Sequence, residues 1–114
     1  SASTFGMCAD MSAVTFYYIP VPSRETGAEL ARTVLAESLA ACGNLLGPMT
    51  SIYEWKQEIC EEEEYALILK TDPGREKELR ARLLELHPYD CPCISGWEAQ
   101  ANTDFSDWVR EQTV

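Results

Sequence analysis

Residues Ala41–Thr71, ACGNLLGPMTSIYEWKQEICEEEEYALILKT, decide the fold. Two strand-like runs, 50–56 and 59–71, lie back to back with almost nothing between them, which predicts a long β-hairpin. Alternation along a strand puts Tyr53 and Trp55 on one face and Ile52, Glu54 and Lys56 on the other. Past the turn, Tyr65, Ala66, Leu67, Ile68 and Leu69 form an unbroken apolar run, the pattern of a strand covered on both faces. The base of the hairpin is therefore core. Its tip, residues 57–64, is acidic and carries Ile59 and Cys60, so it projects. A lone two-stranded ribbon is marginal in water and an exposed aromatic edge invites pairing, so this arm is expected to dock on another subunit.

Working outward, AVTFYYI at Ala13–Ile19 has the β-branched and aromatic composition of a strand, ended by Pro20 and Pro22. The preceding residues 1–12 show no periodicity and read as a flexible extension or a cloning remnant, with Cys8 incidental; a single domain then spans 13–114. Ser23 can cap a helix with Glu25 in its first turn, and Ala31, Val34, Leu35, Leu39 and Cys42 recur at helical spacing, interrupted only by Ser38. Gly43 and Asn44 are the expected helix stop. A strand starts near Cys42 and is kinked or bulged at Gly47-Pro48. Beyond the hairpin, Asp72 caps a helix with Pro73 at its first position; Leu79, Leu83 and Leu86 share a face, with Glu76–Arg80 and Glu78–Arg82 pairs outside. Pro88 ends that helix at His87, residues Cys93–Trp97 suit a short strand, and Asn102 or Thr103 starts a last helix in which Phe105, Trp108 and Val109 share a face. The order βαββαβ followed by a C-terminal helix is that of an α+β, ferredoxin-like split βαβ fold.

Composition narrows the function. At 114 residues, 46% of them hydrophobic, the chain suits one core. A net charge of -10 opposes binding to nucleic acid or to an anionic membrane. No apolar run approaches the roughly 20 residues that span a bilayer, and the N-terminus shows no signal pattern, so a soluble protein is expected. Five cysteines, an odd number in a chain with enough core to fold unaided, point to a reducing cytoplasm.

Several strings, in this order and spacing, resemble the CutA family of divalent-cation tolerance proteins: LAESLAACGN at Leu35–Asn44, SIYEW at Ser51–Trp55, the acidic run to ILKT ending at Thr71, ELHPY at Glu85–Tyr89, and DFSDWVRE at Asp104–Glu111. The resemblance covers nearly everything from Val14 onward. It implies a homotrimer of ferredoxin-like subunits whose long hairpins wrap their neighbours, much as in PII signalling proteins. It also implies intersubunit clefts around Tyr53, Trp55, His87, Tyr89 and Glu98. Two departures stand out. Gln57 occupies the place of a glycine usual at the hairpin turn, and of the positions proposed to ligate copper in some members, Ile19 and Leu86 are apolar here and only His87 is retained.

The residues themselves offer a few metal donors. His87 is the only histidine, and at a helix C-terminus it either ends the helix through a local hydrogen bond or serves as a ligand. Cys91-x-Cys93 lacks zinc spacing but would suit soft Cu(I), unless Pro92 marks a mere loop-to-strand junction. Cys42 reads as a small core residue on the helix stripe, and Cys60 as the exposed, oxidisable one. Alternation splits the carboxylates of Glu61–Glu64 between two faces, so this run reads as a solvated strand end. Tyr53 and Trp55 suit interface core as well as a ligand pocket. With no G-x-S-x-G, P-loop or G-x-G-x-x-G, the expected function is non-enzymatic: copper, another divalent metal or a small ligand held between subunits. The alternatives are a PII-like signalling module and a small hydrolase with an interface active site.

The charge carries a prediction of its own. Self-repulsion opposes the compact state and salt screens it, so moderate sodium chloride should raise the melting temperature. A steady fall with added salt would contradict this.

Overall fold

The computed structural model describes residues 10–114. In chain order it contains β1 (Met11–Val21), α1 (Arg24–Ala36), β2 (Cys42–Trp55), β3 (Glu58–Thr71), a 3-10 turn (Pro73–Arg75), α2 (Glu76–Leu86), β4 (Ser95–Asn102) and α3 (Thr103–Gln112). The strands form one antiparallel sheet in the order β2-β3-β1-β4, the expected βαββαβ arrangement with an added C-terminal helix. Successive residues of β1 serve two layers. Tyr17, Ile19 and Val21, with Leu67 and Leu69 of β3, pack on Leu30 and Val34 of α1 and Leu79 and Leu83 of α2. Val14 and Phe16 turn the other way and meet Phe105 and Val109 of α3. No helix among the described residues is long and apolar enough to cross a membrane.

Element ends differ from expectation in ways the backbone explains. Strand β1 begins at Met11 and runs through Pro20 to Val21, so Met11 and Ser12 are sheet residues paired with Asn102 and Ala101. Cys8 and the rest of 1–9 lie outside the described residues. Pro20 is tolerated because β4 pairs with β1 only as far as Tyr18, and the Pro20 carbonyl points to that free side, where His87 meets it.

Ser23 caps α1 as expected, its Oγ accepting from the Thr26 amide at 3.1 Å. The helix stops at Ala36, well before Gly43, because Ser38 takes a left-handed conformation with φ 59°. The amides of Ser38 and Leu39 then reach back to the carbonyls of Leu35 (3.0 Å) and Val34 (2.9 Å), the paired closure of a Schellman end. Cys42, Gly43 and Asn44 consequently belong to β2, and the buried side of α1 is Gly27, Leu30 and Val34 rather than the longer stripe.

Strands β2 and β3 pair from Cys42 opposite Lys70 to Trp55 opposite Glu58. The turn is Lys56-Gln57, with φ 51° and 69°; two positive values in a two-residue loop define a type I′ hairpin even without the usual glycine. The register shifts between Leu46 and Met49, at a cis Gly47-Pro48 bond. Gly47, at φ 146°, has the Tyr65 ring 2.7 Å from where a Cβ would stand, so only glycine fits there. Past this bulge the arm emerges: Ile52, Trp55 and Ile59 are 65%, 54% and 73% exposed.

Asp72 caps as expected, accepting from the Gly74 amide at 2.9 Å, but it starts the 3-10 turn that precedes α2. The Glu76–Arg80 pair forms at 3.4 Å, whereas Glu78 pairs with Arg75. Arg82 instead makes two 2.9 Å bonds to Glu37, a bidentate contact that ties α2 to the end of α1. Strand β4 starts at Ser95, opposite Tyr18, and not at Cys93, which leaves both Cys91 and Cys93 in a loop. In α3 the buried residues are Ser106 and Val109, while Trp108 is 40% exposed and stacks on Phe105.

The left-handed Ser38 yields a stability prediction. Glycine adopts that conformation without the Cβ penalty, so Ser38→Gly should stabilise by about 0.5–1 kcal/mol in urea unfolding, after its own entropy cost. A variant no more stable than wild type would remove Ser38 from that role.

Candidate functional site

Strand β2 presents Ser51, Tyr53 and Trp55 on one face, and the register places Glu62 and Glu64 of β3 on that same face. Opposite stands the loop after α2, carrying Tyr89, Cys91 and Cys93. Together they enclose a cleft of about 680 Å³, with Pro20 and Pro88 completing an apolar wall. Of the residues singled out in the sequence, Tyr53, Trp55, Tyr89, Cys91 and Cys93 thus line one space.

Two phenol–carboxylate bonds organise it. Tyr89 donates its hydroxyl proton to Glu64 Oε2 at 2.6 Å, and Tyr53 donates to Glu62. The hydrogen bond to Glu62, reinforced by its charge, pushes the Tyr53 phenol up to about 12. Burial, followed by the bond to Glu64, drives Tyr89 further in the same direction. Both phenols therefore stay protonated at neutral pH and act as donors. Glu64 is only 9% exposed, so the acidic run is not simply a solvated strand end: Glu62 and Glu64 face the cleft, and Glu61 and Glu63 face away.

His87 holds the loop in place. It is 7% exposed; Nε2 lies 2.9 Å from the Pro20 carbonyl and Nδ1 3.1 Å from the Tyr89 amide. These partners fix the proton on Nε2, which donates, while Nδ1 accepts. Its ring packs on Tyr89 with centroids 4.7 Å apart. Neither nitrogen is left for a metal. Ile19 is fully buried in the core and Leu86 packs against it, so the other copper-type positions are apolar filling. Cys91 and Cys93 are exposed and unpaired, with Cys93 Sγ 3.4 Å from Ser95 Oγ. Among the described residues of one chain no three His, Cys, Asp or Glu side chains gather as a metal cage.

Glu98 lies elsewhere, in a polar recess of about 420 Å³ with Tyr17, Glu76 and Arg80. There Tyr17 donates to Glu76, and burial together with that carboxylate pushes the phenol up to about 12. Sequence reasoning missed Pro20, Glu62 and Glu64 as cleft residues. The signal for the two glutamates was the hairpin itself, since a two-residue turn at 56–57 puts Glu62 and Glu64 on the face of Tyr53.

Comparison with known proteins agrees with this architecture. Residues 15–112 match the family model described as CutA1 divalent ion tolerance protein. The divalent-cation tolerance protein CutA of Thermus thermophilus is 40% identical over 96 residues, covering 83% of this chain and 93% of its own. Among solved structures, the divalent ion tolerance protein CutA1 of Ehrlichia chaffeensis superposes with a TM-score of 0.86 at 31% identity, covering 89% of this chain and 95% of that one. The PII-like protein CutA of Nostoc sp. PCC 7120, in apo form, does so with 0.81 at 33% identity, covering 88% and 97%. On the extent of these matches and on its sheet order and hairpin, the chain belongs to the CutA1 divalent ion tolerance protein family.

Proposed function

We propose that this protein is a non-enzymatic homotrimer that holds a small ligand in the cleft between the hairpin arm and the loop after α2, close to the boundary with a neighbouring subunit. The observation that carries the reading is the cleft itself. Its walls are aromatic and proline side chains, and its polar groups, Tyr53, Tyr89, Glu62 and Glu64, converge on it from β2, β3 and the loop after α2, as in small-molecule sites generally. The exposed aromatic arm is the part a second copy would cover. Glu98 would join such a site only through a neighbouring subunit. The similarity to a PII-like CutA favours a second reading, in which occupancy of the cleft is passed to a partner protein. A hydrolase with a Cys-His pair has less support, because both nitrogens of His87 are engaged. The four cysteines among the described residues are unpaired, which suits a reducing compartment such as the cytoplasm.

Copper or another soft ion is the metal alternative. Cys91 and Cys93 would hold it, completed by donors from another subunit, and His87 would contribute only by releasing the Pro20 carbonyl. Native mass spectrometry tests the ligand reading: the expected spectrum is a trimer carrying a small-molecule adduct that Trp55→Ala abolishes, and a bare monomer would overturn it. Calorimetry with Cu(I) under reducing conditions separates the donors. Any binding should persist in His87→Ala and vanish in Cys91→Ser/Cys93→Ser; the reverse pattern would restore His87 as the ligand.

A further inference from the structure

Among the described residues, Cys91 and Cys93 are the two thiols that line the cleft, and they stand two positions apart in the chain. Both are exposed, both are unpaired, and both line the cleft beside Trp55 and Tyr89. They flank Pro92 in irregular chain between α2 and β4, where no strand ladder holds them apart. Cys42 lies apart from them, half-buried in β2, where burial pushes its thiol up.

Two features define what such a pair can do. A disulfide between residues i and i+2 closes a very small ring, so it is strained compared with long-range bridges. Strained, exposed disulfides are the oxidising, easily reduced kind, suited to exchange and not to structural support. The second feature is the sign of the surroundings. Glu62, Glu64 and Asp90 line the same cleft, no lysine or arginine does, and the faces of Tyr53 and Trp55 attract cations.

We propose that Cys91-Pro92-Cys93 is a reversible redox dithiol that exchanges with small organic disulfides, reacting with uncharged or cationic ones in preference to anionic ones. The thiolate of one cysteine attacks a sulfur of the small disulfide; that S–S bond breaks, one small thiolate leaves and takes up a proton, and a mixed disulfide forms. The second cysteine attacks the protein-bound sulfur, the mixed disulfide breaks, and a second small thiol departs as the Cys91–Cys93 bond closes. The protein loses two electrons and two protons, and the two released thiols carry them. Excess small thiol reverses both steps. This inference rests on the thiols and their surroundings and is independent of the ligand reading.

The test treats the full chain separately with cystamine, a cationic disulfide, and with glutathione disulfide, an anionic one. Alkylation quenches each reaction before peptide mass spectrometry. The expected result is loss of two hydrogens on the peptide that spans both cysteines, reversed by thiol and unaffected by Cys60→Ser. Either Cys91→Ser or Cys93→Ser should stop at the mixed disulfide. The cystamine to glutathione disulfide rate ratio should fall several-fold from low to high salt, because screening removes the electrostatic part and leaves intrinsic reactivity. A wild type that stops at mixed disulfides, forms only intermolecular bridges or does not react overturns the dithiol. A rate ratio indifferent to salt overturns the charge preference.

Discussion

A two-stranded ribbon has two faces to cover, and this chain supplies covering layers for only one end of it. From Cys42 opposite Lys70 to Leu46 opposite Ala66, the hairpin is flanked by β1 and backed by helices. Strand β1 ends at Val21, opposite Tyr65, so from Met49 to the turn no third strand flanks the pair, and the loop after α2 meets only the near part of the arm, through Tyr89 and Glu64. Such a ribbon holds its backbone bonds but leaves its side chains in water, which is why large apolar groups at its tip are exposed in a protein whose base is well packed. The bulge at Gly47-Pro48 marks the boundary between the two regimes.

The cleft exists because the arm continues past that boundary. One of its walls is the face of β2 and β3 that carries Tyr53, Trp55, Glu62 and Glu64; the other is a short loop that would have little reason to stand still by itself. His87 fixes the loop to β1 through Pro20, and Tyr89 fixes it to β3 through Glu64. A proline in β1 is thus useful twice: its missing N–H faces no strand, and its carbonyl receives the imidazole. The groups that pin the loop also set which side chains remain free on the cleft surface.

Much of the fold was legible in the sequence, because it rests on local patterns. The helix cap at Ser23, the stop imposed by Pro88 and the back-to-back strands of the hairpin are short-range signals that hold in the structure, while Asp72 caps a 3-10 turn ahead of α2 and the hairpin turn falls one residue earlier, at Lys56-Gln57. The misreadings have long-range or conformational causes. Serine carries no compositional mark of the left-handed turn that Ser38 makes, so the end of α1 was read too far along the chain. Strand β4 starts where β1 offers a partner at Tyr18, which the apolar run before Trp97 does not reveal. At the site, the aromatic residues were visible as types. That His87 spends one nitrogen on a carbonyl 67 positions earlier in the chain, and that Glu64 is buried beneath Tyr89, are facts of packing that no spacing announces.

The central claim is that the exposed arm is covered by further copies of this chain. Sedimentation velocity at micromolar concentration, on wild type and Trp55→Ala side by side, tests it most directly. A wild-type trimer is expected, together with a shift toward lighter species in the variant, because loss of a central aromatic anchor commonly costs about 2 kcal/mol or more of association energy. A wild type that sediments as a monomer would contradict it.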